Sequence, residues 1–191
     1  ICNRALSHLG QDVEIADFEN ERSAEARACR RFYVSALKNT LRDFAWPFAT
    51  KFKILELDEE NPTSEWAYSY NLPNDCLQMR RIVSGTRNDT RQTKGNYRRV
   101  GEQIYTDAQE AVLEYTMYVS DVAKFDADFY EAFSLRLASL IAPRMTGGDP
   151  MKMGEKALNR YLFDMANARA NARNEEQPEE PPEAEWIRGR E

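Results

Sequence analysis

The stretch ARACRRFYVSALKNTLRDFAWPFAT, residues 26–50, carries the strongest helical period of the 191-residue chain. Its apolar positions return every three or four residues, which predicts an amphipathic helix packed on a core. The helix is expected to span about residues 22–45, because Pro47 disfavours helical geometry at Trp46. The apolar stripe consists of Ala26, Cys29, Phe32, Tyr33, Ala36, Leu37, Thr40, Leu41 and Phe44.

Helical period also occurs on both sides of this stretch. Near the start, apolar residues between positions 2 and 9 share one helix face, and Gly10 can end that helix. A third helix is expected to run to about Met145, with Asp126 or Asp128 as its N-cap. Glu131 is placed for a capping-box contact to Asp128.

A fourth helix is expected to begin near Met151, after a break at Gly147 and Gly148. Beyond its apolar stripe, residues 166–173 are only Ala, Asn and Arg. That end of the helix is therefore expected to project into solvent or to touch a neighbour. The stripe consists of Met151, Leu158, Tyr161, Leu162 and Met165.

Between residues 51 and 120 the apolar period changes to two, which is typical of strands. Five strands are expected to form one small antiparallel sheet, with a hairpin joining residues 97–105 to 111–119. Trp66, Tyr68 and Tyr70 alternate along one strand and are expected to fill a sheet-to-helix core rather than to form a ligand platform.

The predicted fold class is therefore α+β. It comprises a bundle of about four helices, an inserted small antiparallel β-sheet and an extended C-terminal arm. The helical domain takes residues 1–50 and 121–174, the β insert takes 51–120, and the acidic arm takes 175–191.

Composition excludes several classes of protein. The formal net charge is −6, which argues against a globally basic nucleic-acid binder. No apolar run approaches the ~20 residues that cross a bilayer, so a soluble, unsecreted protein without membrane contact is expected. Three cysteines fit neither zinc spacing nor a disulfide framework, and free thiols are expected. No phosphate loop, GxSxG elbow or dinucleotide fingerprint is present, so neither metal nor cofactor is expected.

Residues 80–99 form a basic segment within this acidic chain. Seven cationic side chains stand against Asp89, a local charge of +6. The segment is interpreted as a subunit or partner contact, with nucleic-acid binding and an ordinary solvated surface as the alternatives. Its cationic residues are Arg80, Arg81, Arg87, Arg91, Lys94, Arg98 and Arg99.

The C-terminal arm combines acidic and apolar features. Residues 175–191 hold seven glutamates, two arginines and three prolines, a formal charge of −5, and this composition predicts an extended chain. An acidic solubilising tail has no need of a tryptophan, so the arm is interpreted as a docking segment. The alternative is a tail with an incidental tryptophan. The docking residues are Trp186, Ile187, Arg188 and Arg190.

Candidate catalytic groups have simpler interpretations. His8 is the single histidine and lies beside an apolar helix face, where a structural role is expected. Asp121, Asp126 and Asp128 lack the glycine and terminal glutamate of a calcium loop, so helix capping is expected. Glu56 with Asp58, or the glutamates at 59 and 60, could form a carboxylate pair, but such pairs arise by chance among 32 acidic residues. No catalytic residue is therefore assigned.

Three segments together resemble a known family: CNRALSHLG at residues 2–10, the stretch at 26–50, and YNLPNDCL at 70–77. They are similar to the tail tubular protein A family, the head-to-tail adaptors of short-tailed bacteriophages and their prophage relatives. The likeness extends from Ile1 to about Arg173 and is strongest over residues 26–49. The loop around Lys94 and the acidic arm depart from the family pattern.

The resemblance implies a structural, non-enzymatic virion protein. It implies a ring of about twelve copies at the head–tail junction, assembled in the host cytoplasm, that joins the portal protein to the tail nozzle protein. Genomic DNA would pass through the ring without sequence-specific binding, and the arm would dock on the portal or on a neighbouring copy. Two alternatives remain open: a tail-associated peptidoglycan-cleaving enzyme, and a DNA-binding packaging or regulatory protein that uses residues 80–99.

Overall fold

The computed structural model describes residues 1–58, 63–83, 96–145 and 150–175 and confirms the α+β class. Helices occupy both ends of the described chain and strands its middle. The helices are α1 (Cys2–His8), α2 (Ala24–Asp43), α3 (Ala127–Met145) and α4 (Pro150–Glu175), with short 3-10 turns at Pro47–Ala49 and Val122–Lys124. The strands are β1 (Thr50–Ile54), β2 (Tyr68–Asn71), β3 (Cys76–Val83), β4 (Tyr97–Val100), β5 (Gln103–Thr106) and β6 (Val112–Met117).

Helix α2 is two residues shorter at each end than predicted. At its start, the Ser23 hydroxyl accepts a hydrogen bond from the Ala26 amide at 3.2 Å, as an N-cap does. At its end, Phe44 is already extended. The buried Trp46 then donates from Nε1 to the Thr40 carbonyl at 2.8 Å, which satisfies one carbonyl of the last turn.

Helix α3 is the centre of the helical core, since it packs against all three other helices. Phe129 lies in an aromatic cluster at its start, with ring centroids 5.0 Å from Trp46, 5.0 Å from Phe48 and 4.6 Å from Phe125. Edge-to-face rings of this kind add to the stability given by buried area alone. The apolar stripe predicted over residues 26–44 packs on this same core.

The N-cap of α3 is Asp126, whose carboxylate accepts from the Phe129 amide at 2.8 Å. The predicted capping-box contact between Glu131 and Asp128 is wrong. Glu131 instead binds Arg4 of α1 at 2.5 Å, because α1 docks on this face of α3.

Helix α4 buries most of the predicted stripe, and Leu158 of that stripe also packs on the core. Tyr161 and Met165 are buried as expected, but Leu162 is 57% exposed and Ala168 takes a place in the core. The distal end of α4 does not project into solvent as predicted, because Arg169 donates a hydrogen bond to the Asp43 carbonyl at 3.0 Å. Small alanine side chains let this part of α4 approach the bundle closely, and a stripe counted on large apolar residues misses that contact.

The strands form two three-stranded antiparallel sheets, not one sheet. Their orders are β1-β6-β3 and β2-β5-β4. The stretch predicted as one strand at residues 97–105 forms two strands, because Gly101 adopts a φ of 61° and turns the chain. The predicted hairpin is also wrong, since β5 pairs with β2 and β4 whereas β6 pairs with β1 and β3.

A second hydrophobic core lies between the two sheets. Tyr70 is buried there, and its hydroxyl donates to the Ala108 carbonyl at 2.9 Å, so the core interpretation of Tyr70 is confirmed. Trp66 and Tyr68 are half-buried. The buried members of this core come from the strands and from residues directly beside them, and none belongs to a described helix, which corrects the expected sheet-to-helix packing. Its buried members are Leu55, Tyr70, Met79, Ile82, Ile104, Ala111, Leu113 and Tyr115.

The segment after β1 connects the two sheets. Leu57 forms an isolated bridge with Tyr70, and the Asp58 amide donates to the Ser69 carbonyl at 2.8 Å.

Within the described ranges, no helix has both the length and the apolar character needed to cross a membrane.

Candidate functional site

Arg80, the first member of the basic segment, is built into the fold. It lies at a bulge of β3 and is half-buried. Its Nη2 donates to the carbonyls of Arg42 at 3.1 Å and Phe44 at 2.5 Å, and its Nε donates to Thr116 Oγ1 at 2.8 Å. Burial lowers the pKa of Arg80, an effect that the nearby Glu114 opposes. This guanidinium therefore caps the end of α2 from the sheet.

Arg81 forms an ion pair with Glu114 of β6, which lies on the same face of that strand as the Thr116 that Arg80 binds. The two side chains are 26% and 16% exposed. Arg81 is thus satisfied within its own sheet, although the pair still reaches the surface.

Arg98 and Arg99 lie on β4, whose four residues are all exposed. Arg98 Nη1 is 3.7 Å from Glu65 Oε2, and both of those side chains are mostly in solvent. Arg99 Nε donates to the Gly101 carbonyl at 3.0 Å, within its own turn. These two cations are the described members of the basic segment that a partner could reach.

The remaining members of the predicted contacts lie outside the described residues. They are Arg87, Arg91 and Lys94 of the basic segment, and Trp186, Ile187, Arg188 and Arg190 of the arm. Their assignment to a subunit, portal or partner contact stays a prediction. The structure therefore separates the seven cations of residues 80–99 into two that are held inside the chain, two that are presented outward and three that it does not describe.

Sequence reasoning missed an outward-facing apolar surface on β1. Phe52 and Ile54 alternate with lysines, a pattern that favours burial of the apolar side, yet they are 57% and 70% exposed. Phe52 stands opposite Glu114 on the outer face of the first sheet, next to the Arg81 ion pair. The inner face of that sheet is already filled by Leu113 and its neighbours in the second core.

A second outward-facing apolar surface lies on α4. Leu162 and Phe163 are 57% and 66% exposed. Phe163 lies on the side of the helix away from Tyr161, about 200° around the axis, whereas Leu162 lies on the flank beside the buried Tyr161 and Met165. Adjacent exposed side chains of this size mark a surface suited to contact with another protein.

His8 lies at a polar junction between α1 and α3. Its Nε2 is 3.2 Å from Ser134 Oγ and 3.4 Å from Glu131 Oε1. Burial lowers the pKa of His8, an effect that Glu131 opposes. Ser134 is fully buried and donates to the Glu131 carbonyl at 2.8 Å, so its hydroxyl is not presented to a substrate. The geometry is that of a structural contact between helices.

The described acidic groups that could serve in catalysis have local partners, whereas Glu59 and Glu60 lie outside the described residues. Asp121 accepts from the Ala123 amide at 3.1 Å and Asp126 caps α3, as predicted. Glu56 binds Lys53 at 3.1 Å, and Asp58 accepts from Gln103 at 2.6 Å. These contacts are the local bonds of an ordinary polar surface.

A cleft also runs beside Glu131. It has a volume of about 760 Å³ and is lined by charged and polar side chains of α1, α3 and α4, including Arg4, Arg160 and Asp164. Arg160 lies 3.9 Å from Glu131 and 4.0 Å from Asp164, so cations and carboxylates alternate along it. Among residues 1–58, 63–83, 96–145 and 150–175, no three side chains are grouped so as to hold a metal ion.

Cys2 of α1 and Cys29 of α2 belong to the same hydrophobic core. Interaction with the other thiol lowers the pKa of Cys2 and, together with burial, raises the pKa of Cys29. Burial raises the pKa of Cys76 as well. All three cysteines are free thiols, as expected, and Cys29 is the fully buried one.

In comparisons with known proteins, no family model and no curated protein matches the chain.

Proposed function

We propose that this protein is a structural subunit of the tail tubular protein A type, a head-to-tail adaptor of a short-tailed bacteriophage. About twelve copies form a ring beneath the portal protein at the head–tail junction, after assembly in the host cytoplasm. The ring joins the portal to the tail nozzle protein and continues the channel through which the genome passes.

The observation that carries the proposal is the pair of outward apolar surfaces. One is on β1 with Phe52 and Ile54, and the other is on α4 with Leu162 and Phe163. A closed ring uses two different surfaces of each subunit, because its contacts are head-to-tail. A helical bundle with an attached sheet region can present one such surface to each side.

The size of these surfaces suits assembly that depends on partners. Fully burying a large apolar side chain gives about 1.5–3 kcal/mol. Because these four side chains are already partly covered, completing their burial gives roughly 4–8 kcal/mol in total. Association costs about 4–15 kcal/mol in lost freedom and ordering. The two surfaces therefore need further contacts, which the portal protein and the arm residues Trp186 and Ile187 would supply.

The charge distribution supports passage of DNA rather than its capture. The chain has a net charge of −6, and Arg80 and Arg81 are engaged inside the fold. A duplex-binding protein gains its affinity from several cations placed on phosphates at one surface. A ring of acidic subunits would instead repel the backbone and let the genome slide.

The test is the mass of the assembled protein, measured by native mass spectrometry and sedimentation velocity. The full chain is measured alone and with the portal protein encoded in the same genome. A closed ring of about twelve copies, bound to the portal, is expected. A monomer under both conditions would overturn the proposal, as would steeply salt-dependent duplex binding or cleavage of purified peptidoglycan by the same preparation.

A pair of variants tests whether ring formation depends on the exposed apolar surface of α4. Phe163→Ser, on the exposed side of α4, should leave the monomer folded and weaken ring formation at least tenfold. Val13→Ser is the matched control, since Val13 is an exposed apolar residue in the segment between α1 and α2. Equal assembly of both variants would exclude the α4 surface as a subunit contact.

A further inference from the structure

Strand β4 is exposed on both of its faces and along one edge. It is the last strand in the order β2-β5-β4, and its single pairing is with β5. Both of its faces are exposed as well, with Tyr97 at 37% and Val100 at 52%. Within the part of the chain that the structure describes, its outer edge is therefore open to an added strand.

The charge of β4 restricts which strand can be added. Arg98 and Arg99 project to opposite faces, and the nearest carboxylate to Arg98 is the exposed Glu65, 3.7 Å away. The edge strand β1 of another copy, with Lys51 and Lys53, would bring cations against cations. An acidic strand is required instead.

The end of the chain has the composition of such a strand. Residues 183–191 follow the last proline, so every residue there has a backbone N–H to donate to a ladder. Trp186 and Ile187 are residue types that favour strands, and Glu185 precedes them. The preceding prolines favour an extended chain that leads away from the end of α4.

One antiparallel register matches all four residues of β4. Placing Arg99 opposite Glu185 also places Arg98 opposite Trp186, and it leaves two apolar pairs, Tyr97 with Ile187 and Val100 with Ala184. These pairs are an ion pair, a cation–π contact, an aromatic contact with a β-branched residue and a small apolar contact. A shift of one residue in one direction places Arg99 opposite Trp186 and loses the ion pair. A shift in the other direction pairs Arg98 with Glu185 but places the apolar Val100 opposite Glu183.

We propose that residues 184–187 of one copy add to β4 of a second copy as an antiparallel strand in this register. The inference rests on the proposed ring, and it gives the arm a receiving surface within the ring. The last contact described for α4 joins Asn171 to Asp128 of α3, so the helix end is fixed on its own bundle. Residues 176–183 then span up to about 26 Å when extended, a distance comparable with the radius of a domain of this size.

The experiment is a charge exchange between the two strands, read by sedimentation velocity of the full chain. Arg99→Glu and Glu185→Arg should each weaken self-association at least tenfold, about 1.4 kcal/mol, and the double variant should recover most of that loss. The matched controls are Arg27→Glu on the exposed side of α2 and Glu179→Arg in the proline-rich part of the arm. Single variants that assemble as well as their controls would overturn the proposal, and so would a double variant no better than the singles.

Mixing the two single variants tests whether the contact joins different copies. In an alternating ring, each altered arm meets an altered β4 on the next copy, so the mixture should assemble where each variant alone does not. If the arm binds its own chain, every subunit keeps a mismatched pair. A mixture that stays unassembled would therefore overturn the contact between copies.

A binding measurement separates this inference from the proposed ring. A fluorescein-labelled peptide of residues 176–191 is added to the full chain, and its anisotropy is followed at low concentration. It should bind the wild-type chain and lose at least tenfold in affinity on Arg99→Glu, whether or not rings form. Rings without this peptide binding would refute the β4 contact and leave the ring, whereas peptide binding by a chain that never assembles with the portal would refute the ring alone.

Discussion

Replacing Arg80 with methionine decides between two roles for this residue. The charge pattern of residues 80–99 places Arg80 in a partner contact, whereas the structure places its guanidinium on the last carbonyls of α2. Methionine keeps an apolar stem of similar length and removes only the donors. The variant should therefore lower the stability of the isolated monomer rather than its assembly.

The size of the loss follows from the contacts. Arg80 donates to Phe44, Arg42 and Thr116 at 2.5, 3.1 and 2.8 Å, and it is half-buried. Hydrogen bonds of a charged group are each worth about 1.5–3 kcal/mol, but bonds that share one donor do not add fully. A cation at a helix C-terminus contributes about 0.3–1 kcal/mol more. The expected loss is about 2–4 kcal/mol, a large part of a typical free energy of unfolding.

Urea denaturation followed by circular dichroism measures this loss at a concentration where the chain is monomeric. With a slope of about 2 kcal/mol/M, the midpoint should fall by about 1–2 M. Arg99→Met is the control, since Arg99 lies on the exposed strand β4 and should change stability by less than about 0.5 kcal/mol. An Arg80→Met midpoint equal to that of the control would refute the capping role.

Three further outcomes are expected. Leu37→Ala should cost about 2–5 kcal/mol in chemical denaturation because Leu37 is fully buried, and Phe32→Ala should cost less because Phe32 is half-buried; equal losses would contradict this placement of α2. Burial lowers the pKa of His8, so the unfolded chain binds its proton more readily below roughly pH 6.5 and stability falls on acidification; His8→Asn should show a smaller fall between about pH 7.5 and 5.5, and identical pH profiles would argue against it. Iodoacetamide should alkylate Cys2 in the native protein and Cys29 only after unfolding, as peptide mass mapping would show, and rapid native labelling of Cys29 would exclude the buried thiol pair.

The helices were predictable because their signals are local. The period of residues 26–44, the Pro47 stop and the aspartate caps each depend on neighbours within a few positions, and all three are found in the structure. The buried face of α4 was partly mispredicted because large apolar side chains were counted and alanines were not. Ala168 is buried against the bundle, whereas Leu162, which has the larger apolar side chain, is mostly exposed.

The sheets were less predictable because strand pairing is not local. The period of two predicted which stretches form strands, but β6 pairs with residues of β1 that are about sixty positions away in the sequence. The exposure of Phe52 has the same origin. Alternation separates the two faces of a strand but does not tell which face the rest of the chain covers, and here Leu113 and Tyr115 of β6 fill the inner side.

The basic segment shows why charge clustering in a sequence is a weak guide to a binding surface. Arg80 and Arg81 are adjacent, yet a bulge turns one toward the end of α2 and the other toward Glu114. A bulge of this kind has no strong sequence signal, so the two residues look equivalent to Arg98 and Arg99 until the fold is known. Apart from Arg80 and Arg81, the described cations of residues 80–99 are Arg98 and Arg99, and both lie on the exposed strand β4. In the proposed ring, an acidic strand at that edge would meet two outward cations and the two apolar side chains that flank them.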